Sequence, residues 1–331
     1  MAEEAAAGQL IAGFDAGQTH TTCRLARSGD GAIVAEGQGP GVCHLAAPSG
    51  DRRFSQALVG SLADALANLP GDGRTTAALR AAAVGASGIE QGSAVQVRGT
   101  DLAAAALVLP PARVLVCGDE RTALRGAFTD GSGIVLISGT GSIAVGRDRQ
   151  GREHRCGGWG WLLDGAGSAM DIGRDGLALT LRMADGRHPA TALLPSLWQA
   201  LGVDPGDAGG PQAIKSRVGA EEFGAAGFAA LAPQVAAPAA AGDHDCRRIL
   251  ADSARALATM AAAVAAGLGL PPAVRVCAVG GAITHLPGLA EALEDQLVRA
   301  LPGARLVAAQ ADACAGALRM AAELAAHPAA G

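Results

Sequence analysis

The sequence contains no tyrosine and a single lysine, Lys215, among its 331 residues. The remaining basic residues are arginines spread along the chain, and the formal net charge is −5. Proteins that bind a nucleic-acid backbone carry a patch or stripe of positive charge. Because this sequence shows none, we do not expect nucleic acid to be a partner.

Long apolar runs are also missing. Stretches such as 258–270 are apolar, but they are short and rich in alanine and glycine, whereas a membrane-spanning helix needs about 20 mainly apolar residues. The first ten residues include two glutamates, which makes them a poor signal peptide. We therefore expect a cytoplasmic protein with no membrane partner.

Paired cysteines and the common nucleotide-binding loops are absent as well. The seven cysteines stand singly, at positions 23, 43, 117, 156, 246, 277 and 314. Their odd number and wide spacing favour a reducing compartment and argue against a zinc finger or a disulfide framework. The chain has no GK[ST] segment, which excludes a Walker A loop, and its glycine pair at 280–281 lacks the spacing of a Rossmann fingerprint.

The order of predicted elements indicates two similar halves. The length and the apolar content suffice for two cores, and each half opens with a predicted hairpin, the first consisting of two strands joined at 28–31. Strand–helix units follow, with helical spacing at 54–67 and 74–82, strands at 81–89 and 112–119, and a helical stretch from 167 to about 266. We expect a flexible Ala-Pro loop at 231–245 and a final helix at 312–326 that packs on the first half. This pattern predicts duplicated α/β domains with a cleft between them.

The segment Asp15-Ala16-Gly17-Gln18-Thr19-His20-Thr21 combines an acid with a turn of small and hydroxyl-bearing residues. Backbone N–H groups in such a turn can approach an anion closely, and the threonine hydroxyls add donors. Asp15 would repel phosphate unless a divalent cation lay between them, so we interpret it as a Mg²⁺ ligand. A plain hairpin turn is the alternative, because short glycine-containing turns are weak signals.

A second turn of this kind, Ser138-Gly139-Thr140-Gly141-Ser142, lies in the other half. Alone it could be a polar hairpin tip, but two such turns predict a triphosphate held from both sides. Gly280 and Gly281 would let a flat ring lie against the backbone, unless they only form a tight strand–helix turn. Asp119, at the end of a predicted strand, is either an acid placed to accept a hydroxyl proton or a helix N-cap.

The order DxGxT, strand-end acid, ISGTGS, GGWG and VGG resembles the acetate-and-sugar-kinase/Hsc70/actin superfamily. Within it, ISGTGS together with CGGWG is similar to the N-acetylglucosamine kinase-like, BadF/BadG/BcrA/BcrD-type ATPases, over residues 11–325. The resemblance implies two actin-like (ribonuclease H-like) α/β domains with a nucleotide cleft between them. One would comprise residues 1–117 completed by a C-terminal helix at 310–331, and the other residues 118–309 with a helical insertion.

The resemblance also implies roles for individual residues. ATP and Mg²⁺ would be the cofactors, Asp119 would be the general base for a sugar hydroxyl, and Asp15 would be the metal ligand. The nucleotide would be bound by Asp15, Gly17, Gln18, Thr19, Thr21, Ser138, Gly139, Thr140, Gly141, Ser142, Gly280 and Gly281. The substrate would contact Cys43, His44, Asp119, Gly158, Trp159, Gly160 and Asp164.

Two segments depart from the family pattern. Kinases of the family read GDEGS shortly after GGWG, whereas this chain has Asp164, Gly165 and Ala166. An asparagine often stands where this chain has Cys43 or His44. Both departures concern the sugar side of the expected cleft, so they question the identity of the sugar and leave the nucleotide motifs intact.

The predicted function is ATP-dependent phosphorylation of a sugar or amino sugar, with N-acetylglucosamine or glucosamine as the first candidates. A homodimer is expected by analogy with the family. Two other classes remain open. An activator-type ATPase would carry an iron–sulfur cluster between two subunits, but the second turn has no cysteine near it. A non-catalytic sugar or nucleotide sensor would have no need of the acid at position 119.

Overall fold

The computed structural model describes residues 9–70 and 79–326, which form two compact α/β units. Unit 1 is built from the described residues up to Asp130 together with those from Ala309 onward, and unit 2 from Gly131–Ala308. The sequence suggested a boundary after residue 117. The boundary between the units instead follows Asp130, because helix α3 (Asp119–Ala127) packs against the C-terminal helix α12 (Ala313–Ala326). Helices are numbered along the chain.

Unit 1 contains a five-stranded sheet in the order β3-β2-β1-β4-β5. The first three strands form an antiparallel meander, and β4 and β5 run parallel to β1. The strands are β1 (Leu10–Ala16), β2 (His20–Arg27), β3 (Ile33–Pro40), β4 (Leu79–Ala86) and β5 (Val114–Gly118).

Two predictions for this part of the chain were wrong. The expected two-stranded hairpin has three strands, because the chain turns at residues 17–19 as well as at 28–31. Residues 79 and 80, expected to be helical, begin the buried strand β4, which overlaps the strand expected at 81–89 and pairs with both β1 and β5. The rest of that expected helix, residues 74–78, lies outside the described residues.

The helices of unit 1 cover both faces of this sheet. Alternate residues of a strand point to opposite faces, and Phe14 lies in the core under α1 (Gly50–Ala67) and α2 (Ala94–Leu107), whereas Ile11 packs against α12. Gly13 shares the face of Ile11, and a Cβ placed on it would lie 2.5 Å from a backbone nitrogen of α12. A glycine is therefore required for the last helix to approach β1.

Unit 2 repeats the same sheet topology. Its order, β8-β7-β6-β9-β10, matches that of unit 1 strand for strand, with an antiparallel meander followed by two parallel strands. The strands are β6 (Gly133–Ser138), β7 (Ser142–Arg147), β8 (Glu153–Gly157), β9 (Arg275–Val279) and β10 (Arg305–Leu306). The predicted fold class, two α/β domains of one type, is confirmed.

A helical insertion follows β8 in unit 2. Between β8 and β9 lie α4 (Ala169–Ala184), α5 (Leu193–Ala200), α6 (Gly210–Val218), α7 (Gly224–Ala229), α8 (Ala232–Ala240) and α9 (His244–Leu268). Two further helices, α10 (Gly281–His285) and α11 (Leu289–Ala300), lie between β9 and β10. Helix α9 has the length and composition of a membrane span. In the structure, however, one face of it is buried in the main hydrophobic core of unit 2.

The expected flexible loop at 231–245 is instead largely helical, because α8 occupies most of it. Pro233 lies in the first turn of α8, where a backbone N–H has no intrahelical partner and proline is tolerated. Val235 and Ala236 are fully buried. Burial of one alanine-rich face therefore outweighs the loop signal of the prolines.

Candidate active site

Two acids lie at the carboxyl edge of the unit 1 sheet. The parallel strands β1, β4 and β5 all end at this edge, and the register pairs Asp15 with Gly85 and Gly85 with Cys117. Asp119 follows β5 as the first residue of α3. In open α/β sheets ligands bind outside the carboxyl ends of the strands, so both acids stand where a ligand is expected.

Asp119 is half-buried, and its surroundings favour the protonated carboxyl group. Burial, the nearby charge of Glu120 and then that of Asp15 raise the pKa of Asp119 to about 7. Gly118, not Asp119, holds the N-cap position of α3, so the alternative role of Asp119 as a helix N-cap does not hold. An acid with a pKa near neutrality is suited to accept a proton from a hydroxyl group.

Asp15 lies on the same face of β1 as Gly13, the face covered by α12. Burial raises the pKa of its carboxyl group, the neighbouring His20 lowers it, and Asp312 raises it further. The carboxylate makes no hydrogen bond or ion pair within the described part of the chain. It is therefore available to a cation or to a hydrogen-bond donor from a ligand.

The first predicted phosphate turn has an exposed tip and a buried base. Gln18 and Thr19 are exposed, and Gly17 donates its N–H to the carbonyl of His20 at 3.1 Å. Thr21 is fully buried, and its hydroxyl donates to a carbonyl at the end of β3 at 2.8 Å. The Thr21 hydroxyl is thus committed to the fold, and the groups that face solvent belong to residues 17–19.

The second turn shows the same division in unit 2. The hydroxyls of Ser138 and Ser142 each donate, at 2.7 Å, to backbone carbonyls of Gly167 and Ala166. Thr140 lies exposed at the tip, and its hydroxyl has no partner among the described residues. The serines therefore fix the turn to the segment before α4, and the tip is left open.

Glycines in the second turn are not required by the fold. A Cβ on Gly139 or Gly141 would meet no atom within 4 Å, and neither residue has the positive φ that favours glycine. Packing and backbone strain therefore give no reason for glycine here. Close approach of a ligand to the backbone, as in phosphate-binding turns, does give one.

The glycine pair after β9 lies against the second turn. Gly280 has φ of 106°, and a Cβ placed on it would lie 2.4 Å from the backbone oxygen of Ser138. Gly281 begins α10 and is exposed, and a Cβ placed on it would lie 3.9 Å from the ring of His285. The turn and the glycine pair thus form one continuous backbone surface in unit 2.

The GGWG segment leaves β8 with an exposed indole. Gly157, Gly158 and Gly160 all have positive φ, and Trp159 is 61% exposed with the guanidinium of Arg155 stacked 4.6 Å from its ring centre. The half-buried Asp164 turns back toward this segment, since a Cβ on Gly157 would lie 3.5 Å from Asp164 Oδ2. Gly158, Trp159, Gly160 and Asp164 therefore belong to one loop cluster in unit 2.

Cys43 and His44 lie in unit 1, just after β3. Cys43 is half-buried, and the exposed His44 accepts the N–H of Ala46 on Nδ1 at 3.1 Å, which places its proton on Nε2. The His44 ring lies against Gly88, where a Cβ would be 2.9 Å from the ring. Gly88 and its neighbour Ser87 follow β4 at the same edge as Asp15. The sequence predicts a turn here, at the end of the expected strand 81–89, but it does not indicate that the turn lies beside the candidate site.

Comparison with known proteins gives a consistent result. A family model described as the BadF/BadG/BcrA/BcrD ATPase family matches residues 12–321. A Chromobacterium violaceum protein named as a candidate N-acetylglucosamine kinase has a solved structure that is 29% identical, with a TM-score of 0.70 over 94% of this chain and 98% of that one.

Curated relatives match over shorter stretches. An N-acetylmuramic acid/N-acetylglucosamine kinase from Clostridium acetobutylicum is 30% identical over 62% of this chain and 66% of its own length. An N-acetyl-D-glucosamine kinase from Dictyostelium discoideum is 31% identical over 57% of this chain and 59% of its own length. The chain thus spans less than two thirds of the length of each of these curated relatives, 66% of the first and 59% of the second. Because the family model covers nearly the whole chain, the chain belongs to the BadF/BadG/BcrA/BcrD ATPase family.

Proposed function

We propose that this chain transfers the terminal phosphate of ATP to a hydroxyl group of an amino sugar, with N-acetylglucosamine as the first candidate acceptor. The observation that carries the proposal is Asp119, an acid at the carboxyl edge of a sheet whose pKa is raised to about 7. The names of the relatives and the family's ATPase description support the substrate class and the nucleotide.

In the proposed reaction Asp119 acts as general base. Its carboxylate accepts the proton of the sugar hydroxyl while that oxygen forms a bond to the terminal phosphorus and the bond to ADP breaks. Phosphoryl transfer needs little beyond positioning and charge stabilisation. The exposed tips of the two turns, at residues 18–19 in unit 1 and 140–141 in unit 2, would each supply backbone donors for a phosphate group, since the N–H groups of Gly17 and Gly139 already donate within their turns.

Asp15 fits a role in holding Mg²⁺. The ion prefers one or two carboxylates together with water and substrate phosphates, and Asp15 offers a half-buried carboxylate without a partner in the described chain. The described residues contain no group of three or more acid, cysteine or histidine side chains that could form a complete protein cage. When bound, the ion would neutralise charge on the phosphates and thereby stabilise the transition state.

A coupled assay of ADP release tests the proposal. We would measure the wild type and Asp119→Asn with N-acetylglucosamine, glucosamine, N-acetylmuramic acid and glucose, and include Asp101→Asn as a control on the exposed face of α2. Loss of a general base should lower kcat by about 10²–10⁴-fold, while the control should keep wild-type activity. A homodimer is expected, and light scattering after size exclusion checks it.

The same assay separates the other classes. ATP hydrolysis that is independent of every sugar would contradict the kinase proposal and point to an activator-type ATPase. ATP binding without turnover on any sugar would point to a sensor. Full activity of Asp119→Asn on one of the sugars would leave the kinase assignment in place and refute Asp119 as the base.

A further inference from the structure

Glu120 is a buried acid next to the candidate base. It is the second residue of α3, and only 8% of it is exposed. Successive residues of a helix normally point away from each other. Helical side chains lean toward the N-terminus, however, and Glu120 bends back so far that a Cβ placed on Gly118 would overlap its carboxyl group. The carboxyl group of Glu120 therefore lies beside the residue that immediately precedes Asp119.

The charges that act on Asp119 from its own helix and from the sheet are those of acids. Glu120 contributes the larger effect, and Asp15, at the end of β1, contributes the smaller one. Arg121 is two residues along α3, a spacing at which helical side chains do not face each other. Strand β4 ends in the uncharged residues 84–86, and β5 contributes the buried thiol of Cys117. Negative charge therefore dominates the surroundings of Asp119 on this side.

The charged groups of α12, the other element packed against α3, are engaged elsewhere. Asp312, just before α12, accepts two hydrogen bonds from the guanidinium of Arg24 on β2, at 2.8 and 2.9 Å. Glu323 pairs with Arg125, in the last turn of α3. Arg319 donates to a backbone carbonyl two residues beyond the end of α3, at 3.0 Å. The charges of α12 are thus directed toward β2 and toward the far end of α3.

Stability does not explain a buried acid at position 120. Burial of a charged group is costly, and a second carboxylate nearby raises that cost. A negative charge in the first turn of a helix is favourable, but an exposed acid would supply it equally well. Acids that perturb one another in this way cluster at functional sites. The position of Glu120 therefore points to a role in the chemistry of Asp119.

We propose that Glu120 sets the pH range in which Asp119 acts as the base, as a positioning residue that does not touch the sugar. The proposal rests on the proposed function, in which Asp119 accepts the proton of a sugar hydroxyl. A negative charge on Glu120 makes Asp119 harder to ionise and, once it is ionised, a stronger base. A general base is most effective when its pKa lies near the working pH. Glu120 would thus hold Asp119 close to neutrality.

The pH dependence of kcat/KM, measured with the best sugar acceptor at saturating Mg-ATP, tests the proposal. Glu120→Gln keeps the shape of the side chain and removes its charge, whereas Glu120→Asp keeps the charge. Asp101→Asn is the control, since it removes a charge from the exposed face of α2. We expect the acidic midpoint of Glu120→Gln to lie about one pH unit below that of the wild type. The other two variants should stay within about 0.3 unit of the wild type. Bound Mg²⁺ and nucleotide are common to all the variants, so the difference between midpoints is the quantity compared.

Carbon-13 NMR measures the same effect without turnover. The protein is labelled at the carboxyl carbons of aspartate and titrated without nucleotide and with chelator. The signal of Asp119 is the one that is missing from Asp119→Asn. Its midpoint should be about 7 in the wild type, the pKa of Asp119 in this structure, and about one unit lower in Glu120→Gln.

The two measurements separate the possible results. Equal midpoints of the Asp119 signal in the wild type and Glu120→Gln would refute the proposal. A lower melting midpoint of Glu120→Gln with an unchanged pH profile would also refute it, because Glu120 would then only support α3. Loss of activity at every pH in a variant that melts like the wild type would make Glu120 a participant in the reaction and contradict the positioning role. A shifted NMR midpoint in protein that phosphorylates no sugar would refute the proposed function and leave the effect of Glu120 on Asp119 in place.

Discussion

Replacement of Asp119 by asparagine should stabilise the nucleotide-free protein at alkaline pH. The carboxyl group is half-buried and lies near two other acids, so the fold penalises its charge. Asparagine keeps the shape of the side chain and removes the charge. A residue that destabilises its own fold is expected at a functional site, because there the chemistry and not the stability selects the residue.

The size and the pH range of the effect follow from the pKa. Between the ordinary value of 3.8 and the folded value of about 7, the native state keeps a proton that the unfolded state has lost. The free energy of unfolding therefore falls as the pH rises through this range. About three pKa units correspond to about 4 kcal/mol at 1.36 kcal/mol per unit. Partial exposure to solvent reduces this, so we expect about 2–4 kcal/mol above pH 8.

Scanning calorimetry at pH 4.5, 6 and 8, with chelator and without nucleotide, measures the difference between the variants. A change of 1 kcal/mol shifts the midpoint by about 2–4 °C for a domain of this size, so Asp119→Asn should melt several degrees higher at pH 8. The difference should shrink to about 1 kcal/mol or less at pH 4.5, because the native carboxyl is neutral there and the pH lies less than one unit above the ordinary pKa of 3.8, so little of the destabilisation has yet developed. Asp101→Asn, on the exposed face of α2, should show no such dependence.

Two results would refute this reasoning. Equal midpoints at pH 8 would mean that the charge of Asp119 is not penalised by the fold. A difference of the same size at all three pH values would mean that the substitution acts through packing or hydrogen bonding and not through titration.

Three further predictions concern single positions. Gly141→Ala should leave the melting midpoint unchanged, because a Cβ there meets nothing, but should weaken ATP binding about tenfold in a titration; an unchanged affinity would contradict the phosphate role of the second turn. Gly13→Ala should cost about 1–3 kcal/mol in urea unfolding, since its Cβ would lie 2.9 Å from the side chain of Leu318 as well as against the backbone of α12; wild-type stability would mean that α12 does not pack closely on β1. Trp198→Phe should cost about 1–3 kcal/mol, because the buried indole donates to Thr180 at 3.0 Å, and it should remove the most blue-shifted tryptophan emission; an unchanged spectrum would place Trp198 in contact with water.

Much of the fold follows from sequence patterns, but two tertiary effects do not. The hairpin turns and the strand-end acid could be recognised because glycine, hydroxyl and acidic residues interrupt apolar runs there. The helix α8 could not be recognised from its prolines, since its stability comes from burial of Val235 and Ala236. Residues 79 and 80 belong to a strand because β4 is covered on both sides and paired at both edges.

The sequence allowed us to predict which residues lie near one another in the candidate site, but not which hydrogen bonds their side chains make. The sequence indicates that Asp15 and Asp119 end two strands, and the rule that parallel strands end at one edge then brings them together. It cannot show that the hydroxyls of Thr21 and Ser138 donate to carbonyls of the chain itself. Which way a hydroxyl turns depends on partners far away in sequence, and those appear only in the folded unit.

These inward hydroxyls bear on the segment 164–166, where the sequence analysis expects a departure from the family pattern. Ser138 and Ser142 bind Gly167 and Ala166 through backbone carbonyl oxygens, and the N–H of Ala169 donates to the carbonyl of Gly139 at 2.8 Å. A carbonyl oxygen is the same whether the residue is alanine or an acid. The presence of Gly165 and Ala166 in place of two acids therefore leaves these hydrogen bonds to the second turn unchanged. What the exchange removes is side-chain charge beside the GGWG loop, where Asp164 is the carboxylate that remains. If the proposed function holds, the segment 164–166 should therefore affect which sugar is accepted and leave the proposed phosphate-binding turn as it is.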